Sequence, residues 1–526
     1  MTSRDFQILV SLKEISELAG KTQSAVSNWR KRYEDFPHPR VESPAGTLFD
    51  LDEVERWLIE SGRLQQGLSP KKVLWSLAES LIAIMSPAEI SNFIIASLVY
   101  LEASDRTELP DSTLQIDESL RWTTLRQVEE ESFLPELIKA AVAIESANSP
   151  LLGLLVPAFD VEVNALGNTR LSLMKQLERV LKEQGPTGLY RDAIEWRGKY
   201  DRFLDEQSTP LDLVTLMGHI VDDLGAKFFD PAVGSGILLL ALAVRRSIKG
   251  EPSEYIGYEL HPEVLRQARS VFFAFGATAD LRNLDSLCDP SIADVQADVV
   301  VVDPPYGVSR WGTADVYTDR RWPYGSPSFN NSDFVWPQVT MLALRPGGVG
   351  LVVLPTQSAS IKSWDADPLR RMIREGVVVA AVLLPARLRL NTAIPLTLWV
   401  FRRPGESSAP VDKVLVVDAT KLGRSGRGQH KFARVELAEV AKLVRVALGV
   451  EQLEEPIAIP HMSVPLSEIM NGDLLMAYRD LQRPEKLTME ELRSRRQELR
   501  DGLARSLHDL NETTGRLLSR NQRENR

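Results

Sequence analysis

Residues 297–307 read ADVVVVDPPYG. Four consecutive valines make a β-forming run with no polar position in it, which predicts a buried strand. The two prolines that follow remove two backbone donors and forbid helix. The chain therefore leaves the sheet in a stiff, extended turn. That turn is expected to hold Asp303 and Tyr306 at the sheet's rim, with the bare carbonyl of Pro304 beside them. Around this strand, residues 205–405 alternate helix and strand patterns, which indicates a parallel sheet with crossovers and an α/β fold.

The bulk numbers bound the rest. A chain of 526 residues predicts two to four domains. One cysteine, Cys288, excludes a disulfide within the chain and fits a reducing, cytoplasmic location. No signal-like leader opens the sequence, and FIIASLVYL at 93–101 is too short to cross a membrane and reads as a core helix. A net charge of −10 argues against a non-specific polyanion binder. Charge can still be segregated: NWRKR at 28–32 is locally basic.

Five regions follow from the patterns. Residues 1–62 read as two short helices across a turn at Gly20, with Thr22 as N-cap, then an extended piece and a helix capped by Asp50 or Asp52. Residues 70–200 carry apolar side chains at three- and four-residue spacing and form a helical domain. Residues 205–405 form the α/β domain, 413–480 a C-terminal extension of mixed pattern, and 484–526 a charged helical or coiled-coil tail.

A second stretch bears on chemistry. AKFFDPAVGSGILLLALAVRR, 226–246, is a strand ending at Asp230, a loop with Pro231, Gly234 and Gly236, then an apolar helix. Glycines at the carboxyl end of a strand let backbone approach a ligand. The next strand ends at Glu259, 23 residues past Gly236, near the spacing at which an acid meets ribose hydroxyls. Asp285 and Asp303 end the following two strand-like pieces. Any single acid of this kind serves equally well as a helix cap. Four in succession, with a glycine loop on the first and Pro-Pro-Tyr on the last, favour a ligand site.

These motifs resemble a known family. DPAVGSG looks like motif I of the amino-group DNA methyltransferases, DPPY like their motif IV, and STPLDLVTLM at 208–217 like the motif X that precedes motif I in type I modification subunits. The resemblance implies a Rossmann-like S-adenosylmethionine-dependent fold and methyl transfer to adenine N6. It implies that Asp230, Pro231, Gly234 and Gly236 line the methionine end of the cofactor. Thr209 and Pro210 would close over it, Glu259 hold its ribose and Asp285 its adenine amine. Asp303 and the Pro304 carbonyl would accept hydrogen bonds from the target amine. Pro305 would withhold a donor, and Tyr306 would stack on a flipped base. The sequence departs from the type I pattern in carrying Asp303 where asparagine is usual and Val233 where cysteine is usual.

The opening unit resembles MerR- or excisionase-like helix-turn-helix domains, which implies DNA contact through Ser24, Asn28, Arg30, Lys31 and Arg32; such units also serve as protein contacts. The type I resemblance implies DNA and separate specificity and restriction subunits as partners, with no membrane. The C-terminal helix would either dock such a partner or self-associate. The histidines show no metal spacing, so no metal is expected. Competing readings are methylation of cytosine N4 or a protein glutamine, and a DNA-binding regulator on an inactive methyltransferase scaffold.

Overall fold

The computed structural model describes residues 9–43, 46–63, 69–104, 117–147, 151–160, 170–200, 209–313, 315–316, 321–360, 367–389, 392–405, 411–425, 430–469 and 473–482, with 496 and 500. The expected tail at 484–526 lies outside them apart from those last two positions.

The N-terminal unit pairs β1 (Leu9–Ser11) and β2 (Pro39–Ser43) on either side of β3 (Gly46–Asp50), all antiparallel. Helices Leu12–Leu18 and Gln23–Arg32 are joined at Gly20, whose φ of 58° is the left-handed conformation that suits glycine. Thr22 caps the second helix, its hydroxyl accepting from the Ala25 amide at 3.3 Å. Asp50, not Asp52, caps the helix Leu51–Glu60 through the Glu53 amide at 3.0 Å.

The next region is helical: Pro70–Leu81, Pro87–Ser104, Glu130–Ala147 and Arg170–Gly198. The last leaves its helical path at Gly185, φ 73°, because Pro186 disfavours helix in the residue before it. The helix Pro87–Ser104 is buried almost all round, which accounts for its apolar sequence as core packing. Among the described residues no helix is long and apolar enough to cross a membrane.

One nine-stranded sheet dominates the remainder. It is built from β4 (Lys227–Asp230), β5 (Glu254–Glu259), β6 (Asp280–Asn283), β7 (Ala297–Val302), β8 (Leu344–Pro355), β9 (Val378–Leu383), β10 (Leu396–Arg402), β11 (Lys413–Asp418) and β14 (His461–Pro465). Two short strands, β12 (Arg424–Ser425) and β13 (His430–Lys431), pair separately. The sheet order is β14-β11-β9-β10-β8-β7-β4-β5-β6. The five strands from β6 to β8 run parallel, and β10 runs antiparallel to both its neighbours. The expected boundary near 405 does not divide the sheet. Both β11 and β14 continue it, because their apolar residues pair onto β9 and onto each other.

The four-valine run is explained by layers on both faces. Val299 and Val301 pack on one side with Phe228, Leu351 and Leu398, beneath the helices Leu211–Val221, Ile237–Ile248 and Pro262–Ala274. Val300 and Val302 pack on the other with Phe229, Val352 and Trp399, beneath Trp336–Ala343 and Asp367–Arg374. Side chains alternate across a strand, so a strand covered on both sides shows no polar alternation.

Candidate functional site

From β4 the chain winds outward to β5 and β6; from β7 it winds the other way to β8. The strand order therefore reverses between β4 and β7. In open α/β sheets a crevice opens at that point, beyond the carboxyl ends of the strands. Asp230 ends β4, Glu259 ends β5, and Asp303 follows β7 directly. All three are buried, at 2%, 4% and 8% exposure.

The glycine loop after β4 is tightly held. Asp230 accepts from the Ala232 amide at 3.0 Å and Glu259 from the Gly234 amide at 3.1 Å. The other oxygen of Glu259 accepts from the His261 amide at 2.8 Å, so this carboxylate joins the ends of two neighbouring strands. Gly234 and Gly236 sit at φ 53° and 80°. A Cβ on Gly236 would lie 3.1 Å from Cβ of Ala268, so the helix Pro262–Ala274 packs where a side chain would project. Two contacts that the sequence did not announce complete the loop. The Tyr190 hydroxyl donates to the Ser235 carbonyl at 2.6 Å, and the Ser286 hydroxyl to the Pro231 carbonyl at 2.5 Å.

The electrostatics follow from this crowding. Burial pushes the Asp230 carboxyl up to about 8, with the nearby charges of Asp303 and Glu259 adding to the rise. Burial also raises Glu259, against the hydrogen bonds from His261 and Gly234. Asp285 is half-buried beyond β6 and accepts from the Leu287 amide at 3.0 Å. Pro210 starts the helix Leu211–Val221, its carbonyl accepting from the Val214 amide at 3.0 Å, with Thr209 half-buried before it.

At the DPPY turn the structure departs from expectation. Asp303 is not held open at the rim. One carboxylate oxygen accepts from the Tyr306 hydroxyl at 2.6 Å and the other from Nη2 of Arg389 at 2.6 Å, with the side chains of both ion-pair partners at most 2% exposed. The resemblance implies only a stacking role for Tyr306; its hydroxyl is also bonded to the carboxylate. Burial holds that phenol well above its ordinary range. Pro304 is buried and Pro305 half-buried, and Gly307 closes the turn by donating to Asp333 at 2.6 Å. Arg389 went unnoticed in the sequence: it lies 86 positions from Asp303, and nothing local marks it.

The residues expected to touch DNA lie together but in the separate N-terminal unit. Ser24, Asn28, Arg30, Lys31 and Arg32 are all exposed on the helix Gln23–Arg32. Arg30 reaches towards Thr47 of β3 at 3.5 Å.

The donor set suits a cationic, nucleoside-bearing ligand. Three buried carboxylates converge on a glycine loop, and the Ser235 hydroxyl in that loop is buried without a hydrogen-bond partner among the described residues. Glu259 and Asp285 each keep lone pairs beyond those already bonded, since a carboxylate oxygen accepts two hydrogen bonds. These residues fit S-adenosylmethionine, whose sulfonium is positive and whose ribose and adenine are donors.

Comparison with known proteins is consistent with this geometry. The chain is 26% identical over 280 residues to the type I restriction enzyme HindI methylase subunit of Haemophilus influenzae, covering 51% of this chain and 61% of that one. It is 26% identical over 223 residues to the MjaIX methylase subunit of Methanocaldococcus jannaschii, covering 41% and 40%. The chain thus spans less than two thirds of the length of either relative. In fold it is similar to the methyltransferase subunit of a type I restriction-modification system from Streptococcus thermophilus, at TM-score 0.62 and 20% identity, covering 77% of this chain and 97% of that one. A chain from a type I restriction-modification complex matches at TM-score 0.56 and 17% identity, covering 85% and 98%. Residues 205–480, a little over half the chain, match the family description "N-6 DNA Methylase", and the chain belongs to that family.

Proposed function

We propose that this chain transfers a methyl group from S-adenosylmethionine to N6 of adenine in DNA, as the modification component of a restriction-modification system. The observation that carries the reading is the meeting of Asp230, Glu259 and Asp303 around the glycine loop at the β4–β7 reversal. When bound there, the cofactor supplies an electrophilic methyl group. Asp230, Pro231, Gly234 and Gly236 hold its amino-acid end, Glu259 its ribose and Asp285 its adenine, with Thr209 and Pro210 covering it. Asp303 and the Pro304 carbonyl accept from the target amine. An exocyclic amine is a weak nucleophile because its lone pair is delocalised; acceptors off the ring plane free that pair and stabilise the charge that develops. Pro305 presents no N–H to compete, and Tyr306 gives the base a stacking face. Partners of the proposed system are DNA, a specificity subunit and a restriction subunit. The chain purified with the proposed specificity subunit, given S-adenosylmethionine labelled in its methyl group and DNA, should yield labelled N6-methyladenine. Label in N4-methylcytosine or in protein would replace this reading.

The raised Asp230 carboxyl predicts a pH-dependent affinity. With its value at about 8 in the free protein, Asp230 is largely protonated at neutral pH. A cation beside it favours the ionised form, so binding releases a proton and tightens as pH rises. S-adenosylmethionine affinity should increase on the order of tenfold from about pH 6 to about pH 8. Asp230→Asn should flatten that rise. Calorimetry across the range reads both.

The N-terminal helix is proposed as the DNA contact. Lys31→Glu with Arg32→Glu reverses two exposed charges without touching the sheet. DNA affinity should fall at least tenfold or so, and the salt slope by roughly two, with cofactor affinity unchanged. An unaltered salt slope would reassign the unit to protein contact.

A further inference from the structure

Both carboxylate oxygens of Asp303 are engaged by side chains of the seat itself. Tyr306 donates to one of its oxygens, and Nη2 of Arg389 donates to the other. The same Nη2 lies 3.2 Å from the Tyr306 hydroxyl, and the guanidinium carbon 5.3 Å from the centre of the Tyr306 ring. One side chain therefore covers the carboxylate, the hydroxyl and the ring proposed to seat the base. The charge is wrong for the chemistry as well. Methyl transfer builds positive charge on the amine nitrogen, and a guanidinium sharing the same buried carboxylate opposes it.

Arg389 sits in the connection from β9 to β10. Because β10 runs antiparallel to β9, this link crosses no face of the sheet and carries no covering helix among its described residues. Its base is fixed: Leu388 is 1% exposed, and the Arg387 carbonyl accepts from the His430 amide at 2.8 Å. A neutral amine cannot take the place of the guanidinium unaided, because breaking a buried ion pair from one side costs more than a single hydrogen bond returns. An anion must receive the arginine. The planar guanidinium fork matches a phosphate, and the substrate in the proposed reaction carries one at every nucleotide.

We propose that Arg389 is a gate on the base seat. It closes the seat by pairing with Asp303 in the free chain and leaves to a backbone phosphate when nucleic acid binds. The proposal rests on the adenine-methyltransferase reading and names a positioning residue for it.

The test compares two ligands: S-adenosylhomocysteine, and a bisubstrate analogue in which adenosine is tethered through N6 to the methyl-donor end of the cofactor. In the unaltered chain the analogue should bind scarcely tighter than S-adenosylhomocysteine. In Arg389→Met, and in Arg389→Gln as a second variant, it should bind at least tenfold or so tighter, with S-adenosylhomocysteine affinity unchanged. A merely structural arginine would move both affinities together or neither. A short oligothymidine brings phosphates without an exocyclic amine. It should raise analogue affinity in the unaltered chain and leave Arg389→Met unmoved, which also carries the test should a variant fail to fold. Equal or weaker analogue binding in both variants overturns the gate. A gain in the variants with none from oligothymidine overturns the phosphate acceptor. Failure of the unaltered chain to bind S-adenosylhomocysteine overturns instead the methyltransferase reading beneath it.

Discussion

Replacing Asp303 by alanine and Arg389 by methionine together should abolish methyl transfer, by on the order of a thousandfold or more, while S-adenosylmethionine affinity stays within about twofold. Asp303 is assigned to the target amine and not to the cofactor, so only the chemical step should fail. The double substitution is needed because Asp303 and Arg389 are buried together. Asp303→Ala alone would strand a buried guanidinium and destabilise the fold by about 3–5 kcal/mol. Methionine approximates the length of the arginine stem without its charge. Measuring single-turnover transfer beside cofactor affinity separates the outcomes. A double variant that methylates at the original rate removes Asp303 from the mechanism. Asp303→Asn refines the role. Its amide oxygen can still accept from an amine, so activity that survives in part identifies a hydrogen-bond acceptor, and complete loss identifies a proton acceptor.

Gly234→Asp should cost at least a hundredfold or so in S-adenosylmethionine affinity. Gly234 sits at φ 53°, where an L side chain is strained by about 1–2 kcal/mol, and its amide donates to Glu259. A carboxylate at this position would join Asp230 and Glu259 in a buried space where negative charge is already disfavoured, and would oppose the ionised Asp230 that the bound cation calls for. Repulsion at such range is several kcal/mol at the effective dielectric of protein sites. Gly234→Ala carries the strain without the charge and should lose far less. Equal affinities for the two variants would show that the loop does not face the ligand.

The parts of this molecule that were legible in sequence are those set by short-range pattern. The valine run announced a buried strand because both of its faces are covered. The glycine loop was visible because Gly234 and Gly236 take up left-handed backbone, a local requirement. The four helical stretches between 70 and 200 showed their spacing directly. What stayed hidden depends on pairing between distant segments. The union of β11 and β14 with the main sheet is a matter of which edge is free, and strand patterns do not encode that. The Asp303–Arg389 pair spans 86 positions, and an arginine among leucines in ARLRL reads as a solvated loop residue. Tyr306 shows the same limit in miniature. Its ring suggested stacking, while the direction of its hydroxyl, three residues back to Asp303, is fixed by the turn's geometry.

The central claim is that this chain methylates adenine N6 in DNA through the seat after β7. Sequencing that reads methylated bases, applied to DNA from cells producing the unaltered chain together with the proposed specificity and restriction subunits, tests it most directly. The same cells producing the Asp303→Ala, Arg389→Met chain serve as the comparison. The account predicts N6-methyladenine at a defined sequence in the first and none above background in the second. The same adenines methylated in both, or no methylated adenine in either, would contradict it.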